Sequence, residues 1–239
     1  MAKLKVPSLQ HLARNCHSDP QLVKRALVRL AKNKPIFNYN PLVDAVRDML
    51  IFDQPYDEIV CGIERHAARE FVRKCFLDVL PLIRDYFDGV DASFVHDVQP
   101  RYYPIAKGLL VPFQPPLIYG AGGRLCFPWF SFWRTNPVID KRLSLFVSVV
   151  EEILLSDPDL EDAKFEILDF SAPERNSPRT LNVIDTDNVV RISEEAKTEM
   201  LAIFAEGFSL AEAELAGTEK NQRPESRVED IRQPGLFDT

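Results

Sequence analysis

Gly120-Ala121-Gly122-Gly123 separates two extended apolar runs, residues 109–119 and 124–134. Two β-prone runs around a Gly-rich turn predict a hairpin. A hairpin is stable only when other elements cover its apolar face. Pro112, Pro115, Pro116 and Pro128 lie within or beside these runs. Proline has no N–H to donate to a neighbour, so they predict an edge or irregular strand.

The flanking segments supply the cover. Residues 8–33 read as two short helices, the second capped by Ser18 or Asp19 with Pro20 in its first turn and Leu22, Ala26, Leu27 and Leu30 as its apolar stripe. Residues 41–52 form a helix behind Asn40. Residues 56–87 form the longest helical pattern, on Ile59, Ile63, Ala67, Phe71, Cys75 and Val79, which Pro81 kinks or breaks. Past the hairpin come a helix over 138–155, strands over 164–170 and 179–185, and a last helix from Ser193 to about Ala216. The expected class is therefore α+β: a helical N-terminal part, then a β-hairpin or small sheet packed by helices. The expected units are an N-terminal helical segment over 1–55, an α+β core domain over 56–216, and a polar tail over 217–239. The tail loses its apolar pattern at Gly217 and reads as disordered.

At 239 residues the chain can bury a sizeable core, and its formal charge of -7 argues against non-specific nucleic-acid binding by the whole molecule. The start is locally basic, with Lys3, Lys5, Arg14, Lys24, Arg25, Arg29, Lys32 and Lys34 against Asp19 alone. A solvated helix face explains this most simply, and a weak DNA contact is the alternative. Cys16, Cys61, Cys75 and Cys126 form no CxxC pair, which suits reduced thiols in a cytoplasm. No apolar run is long enough to span a bilayer, so no membrane partner is expected.

Between Asp97 and Asp140 there is no Asp or Glu, although the chain carries 36 acids. That stretch holds Trp129, Trp133 and several other aromatics, with Arg124 and Arg134 among its cations. Aromatics interleaved with cations stack bases and pair phosphates. They also build hairpin cores, and the core reading is preferred. Arg124, Trp129, Trp133 and Arg134 are the residues that a nucleic-acid or partner surface would use. Other chemistry is sparse. Glu166 and Asp169 sit three apart on one strand and face opposite ways. Asp185 and Asp187 lie at a strand end, and His66 and Glu70 are one helical turn apart. No catalytic residue, metal ligand or cofactor site is assigned.

In the tail, two large apolar residues reappear in Gln233-Pro234-Gly235-Leu236-Phe237. Apolar anchors in a polar background mark a docking peptide. The pattern Gln-x-x-Leu-Phe resembles the pentapeptide by which bacterial replication and repair proteins bind the DNA polymerase sliding clamp, the β subunit. The resemblance implies that Gln233 hydrogen-bonds into a polar subsite while Leu236 and Phe237 fill an apolar one. Burying that pair contributes roughly 3–5 kcal/mol before ordering costs. Pro234 departs from the commoner leucine and pre-orders the extended backbone or weakens the fit. Size and tail motif together resemble the SocB-type replication-blocking toxins, which implies a non-catalytic protein and a cognate antitoxin.

The element order over residues 58–205 is similar to the RecB/Cas4-like branch of the PD-(D/E)xK nucleases. That family carries a metal-binding Asp and a (D/E)xK strand on the hairpin, whereas this hairpin reads FPWFSFWRT. The resemblance therefore implies a degenerate nuclease scaffold. One alternative is a clamp-tethered nuclease or repair factor holding metal on Asp169, Asp185 or Asp187. The other is an adaptor unrelated to DNA.

Overall fold

Gly122 and Gly123 both have positive φ, 58° and 76°. A two-residue type I′ turn needs both, and its twist matches that of the strands it joins. The turn connects β4 (Ile118–Ala121) to β5 (Arg124–Ser131), which pair antiparallel with Ala121 opposite Arg124. The computed structural model describes residues 4–33, 37–160, 162–174 and 176–222, with side chains as far as Gly217. β5 leads through helix α7 (Asp140–Leu155) to β6 (Lys164–Asp169), which lies parallel to β5, as a helical crossover requires. β7 (Asn182–Asp185) pairs antiparallel with β6, and β1 (Ala92–His96) with β4. The result is a mixed sheet in the order β1-β4-β5-β6-β7.

The run 109–119 divides. Its first part, β3 (Leu109–Phe113), pairs with β2 (Arg101–Ala106) as a separate two-stranded sheet, and only its end joins β5. Pro115 and Pro116 lie at the division and cannot donate to a ladder. Pro128, expected on an edge, sits in the middle strand of the sheet. It is tolerated there because β4 pairs only with residues Arg124 to Cys126, so β5 has no antiparallel neighbour at Pro128.

Alternation along β5 and β6 sends side chains to two cores. Phe127, Trp129, Phe165 and Ile167 face α1 (Leu9–Asn15), α2 (Pro20–Lys32), α7 and α8 (Glu194–Gln222). Cys126, Phe130, Leu168 and Phe170 face α3 (Asn40–Phe52), α4 (Tyr56–His66), α5 (Glu70–Leu77) and α6 (Leu80–Phe87). A mixed sheet between two helical layers makes this an α+β protein with a helical N-terminal part. The first 55 residues serve both layers: α1 and α2 belong to one core and α3 to the other.

Asp19 caps α2 by accepting from Gln21 N at 2.8 Å, with Pro20 in the first turn. The helical pattern over 56–87 is three helices, which break at Ala67 and near Asp78 and Val79, with Pro81 in the first turn of α6. The buried face shifts across the first break, from Ile59 and Ile63 on α4 to Val72 and Phe76 on α5, and leaves Phe71, expected in the stripe, exposed. α8 runs to Gln222, past the Gly217 boundary expected from composition. Glu219, Lys220 and Gln222 are good helix formers, so polarity there does not end the helix. Among the described residues no helix is long and apolar enough to cross a membrane.

Candidate functional site

The residues that follow β5 and β6 hold an aromatic stack. Phe132 stacks on Phe170 with ring centroids 5.4 Å apart and on Tyr39 of the α3 N-cap at 4.7 Å. Phe130 adds a further ring at 5.7 Å from Phe132. Arg179, 9% exposed, ties this region together. Its Nη1 donates to the carbonyls of Phe132, Trp133 and Phe170 at 3.1, 3.2 and 2.8 Å. A buried guanidinium is tolerable when its donors are taken up in this way.

The acids do not converge. Glu166 accepts from the Tyr86 hydroxyl at 2.7 Å and pairs with Lys164 at 2.5 Å, on the α3–α6 side of the sheet. Asp169, 4% exposed, accepts from Asn136 Nδ2 at 2.9 Å and from the amide and hydroxyl of Ser171 at 3.2 and 3.1 Å. Asp185 stands opposite Glu166, and Asn182 stands opposite Asp169. Asp185 is thus roughly 10 Å along the strand from Asp169. Its carboxylate caps the 3-10 turn at Thr186–Asn188, accepting from Asp187 N at 3.1 Å and Asn188 Nδ2 at 2.9 Å. His66 ends α4 and Glu70 begins α5, so they do not share a helix. Among the described residues no group of three or more His, Cys, Asp or Glu is placed to hold a metal ion.

Of the four candidate surface residues, Trp129 is buried. It stacks on Phe113 at 5.2 Å and donates from Nε1 to Gln10 Oε1 at 3.0 Å. Trp133 is half-buried, with the Arg14 guanidinium 5.4 Å from its ring centroid and His11 edge-on at 5.7 Å. Arg134, also half-buried, donates to the Ser177 carbonyl. Arg124 is exposed at the opposite end of β5. It is ten residues from Arg134, roughly 30 Å of extended chain. The fold therefore joins Trp133 to His11 and Arg14, which no periodicity in the sequence signals, and separates both from Arg124. Burial, then Arg14, pushes the His11 imidazole pKa down. Burial, then Arg142, does the same to His17. On α2 the exposed cations Arg25, Arg29 and Lys32 share one face, while Lys24 pairs with Glu214 of α8 at 3.1 Å.

A groove of about 610 Å³ opens between α3, α4 and α5. Its floor is apolar, with Ala45, Ile59, Ile63, Val72 and Phe76. Asp48 and Glu58 line it, as do His66 and Arg69. Glu58 and His66 are eight residues apart on α4, roughly 12 Å along its axis. α3 and α4 are joined by the short turn at Asp53 to Pro55, which sets Asp48 beside the Glu58 end. Burial, then Asp44, pushes the Asp48 carboxyl pKa up, and no described side chain donates to it. Phe71 is 67% exposed beside Phe37, which lines the groove.

Gln233, Pro234, Leu236 and Phe237 lie outside the described residues, as does most of the tail over 217–239. No protein-family model matches the chain, and no curated protein matches it in sequence.

Proposed function

We propose that this chain docks on the bacterial DNA polymerase sliding clamp through Gln233, Leu236 and Phe237 and so restrains or modulates replication without catalysis. The observation that carries the docking half is the Gln-x-x-Leu-Phe pattern, which begins eleven residues after α8 ends at Gln222. The non-catalytic half is supported by the stack of Tyr39, Phe132 and Phe170 and by the separation of Asp169 from Asp185. A peptide that occupies a clamp groove displaces other clamp ligands by mass action. That makes the reading toxin-like, with a cognate antitoxin as a second partner.

Clamp-dependent primer extension tests the proposal. The full chain slows extension in proportion to its concentration, and added clamp relieves the effect. A Gln233→Ala/Leu236→Ala/Phe237→Ala variant leaves extension unchanged. Equal slowing by the variant would refute the role of the peptide.

A further inference from the structure

The groove between α3, α4 and α5 has an order of chemistry along its length. Carboxylates of Asp48 and Glu58 stand at one end, apolar Ile59, Ile63, Val72 and Phe76 form the floor, and His66 and Arg69 stand at the other end; a third lining carboxylate, Asp44, is one turn before Asp48 on α3 and pairs with Arg47 at 3.2 Å. Such a surface has room for a short peptide, because ligand sites of this size are mostly apolar with a few polar groups that fix orientation. The segment Arg232-Gln233-Pro234-Gly235-Leu236-Phe237-Asp238 has the complementary order: a cation, two large apolar side chains, then an anion. We propose that this segment of the same chain occupies the groove, with Arg232 at Asp48 and Glu58, Leu236 and Phe237 on the apolar floor, and Asp238 at Arg69.

Reach permits it. The fifteen residues that follow Gln222, as far as Phe237, span up to roughly 50 Å when extended. A folded chain of this length is about 45 Å across. The contact covers an apolar floor and gives the Asp48 carboxylate a cation. For its consequence the inference rests on the clamp-docking reading: a peptide held in the groove is unavailable to the clamp. Clamp affinity then falls by the fraction of chains whose tail is free.

The test uses a fluorescein-labelled peptide of residues 223–239 and the full-length Leu236→Ala/Phe237→Ala variant, whose own tail competes poorly. Anisotropy is expected to rise to saturation. Adding Asp48→Lys or Arg69→Glu, both at the groove rim, weakens binding at least fivefold, and the wild-type chain binds the labelled peptide more weakly than the variant. Absence of saturable binding, or binding indifferent to both rim changes, overturns the inference. So does a concentration-dependent dimer that Asp48→Lys abolishes, because the occupant is then a second copy. In a clamp titration the Asp48→Lys chain binds about threefold to tenfold more tightly than wild type. If neither chain binds clamp while the peptide still binds the groove, the clamp reading fails and the groove contact stands. Equal clamp binding by both chains overturns the regulatory consequence.

Discussion

Gly207 lies in α8 where that helix crosses α2. A Cβ built there would lie 2.5 Å from Val23 Cβ, 2.6 Å from Val23 Cγ1 and 2.8 Å from the Pro20 carbonyl oxygen. Favourable carbon contacts begin near 3.5 Å, so the overlap is about 1 Å. Two of the three atoms are backbone or Cβ and cannot rotate away. Gly207→Ala gains about 1 kcal/mol of helix propensity, against an overpacking cost of about 1–3 kcal/mol made larger by the rigid neighbours. The expected outcome is a net loss of about 1–2 kcal/mol. Gly217, in the same helix, has nothing within 4 Å of its Cβ position. Gly217→Ala therefore shows the propensity gain alone, about 0.5–1 kcal/mol. Urea unfolding followed by circular dichroism separates the two. With a slope of about 2 kcal/mol/M, the midpoint falls by roughly 0.5–1 M for Gly207→Ala and rises by roughly 0.3–0.5 M for Gly217→Ala. A Gly207→Ala midpoint at or above wild type would show that α2 and α8 do not approach this closely.

Phe132→Ala removes the middle ring of the Tyr39 and Phe170 stack and should cost about 3–5 kcal/mol in the same assay. Arg179→Met strands the carbonyls of Phe132, Trp133 and Phe170 in a buried setting and should cost about 2–3 kcal/mol, whereas a purely peripheral Arg would show almost no loss. All four cysteines are free, but only Cys61 is exposed, and burial pushes the Cys16 thiol pKa up to about 12. A thiol-reactive disulfide reagent at neutral pH should therefore label Cys61 quickly and Cys16 only on unfolding. His11 and His17 have folded pKa values below their ordinary 6.5. The unfolded chain then binds protons near pH 6.5 that the folded chain resists, so stability is full above that pH and declines as pH falls below it. His11→Gln should flatten the decline, as read from urea midpoints at pH 7.5 and 5.5.

The hairpin was legible because Gly122 and Gly123 supply a backbone conformation that few other residues adopt. α2 was legible because Asp19 and Pro20 mark its start. β1 and β2 were not legible. Ala92–His96 and Arg101–Ala106 are only half covered, so neither shows the strong apolar alternation of a core-facing strand. The helical pattern over 56–87 placed Ile59, Ile63, Ala67 and Val79 in the core correctly but missed the breaks, and with them the shift on α5 that buries Val72 and Phe76 and leaves Phe71 exposed. A period near 3.6 continues across Ala67 and Val79 whether or not the backbone turns there. The groove was invisible for a different reason: Asp48, Glu58 and Arg69 come from three helices, and no spacing along the chain encodes their proximity. Arg179 was likewise unreadable, since its role depends on three carbonyls brought together by two strand ends. The proposed docking peptide is the reverse case. Its chemistry is legible in five consecutive residues because a linear motif carries its information without a fold.

Calorimetric titration of the full-length chain into purified bacterial sliding clamp reads the proposed docking itself. Saturable binding by the wild type is expected, and it is lost in the Gln233→Ala/Leu236→Ala/Phe237→Ala variant, whose circular dichroism spectrum stays that of the folded wild type. No binding by the wild type, or equal binding by the variant, would contradict the proposed docking.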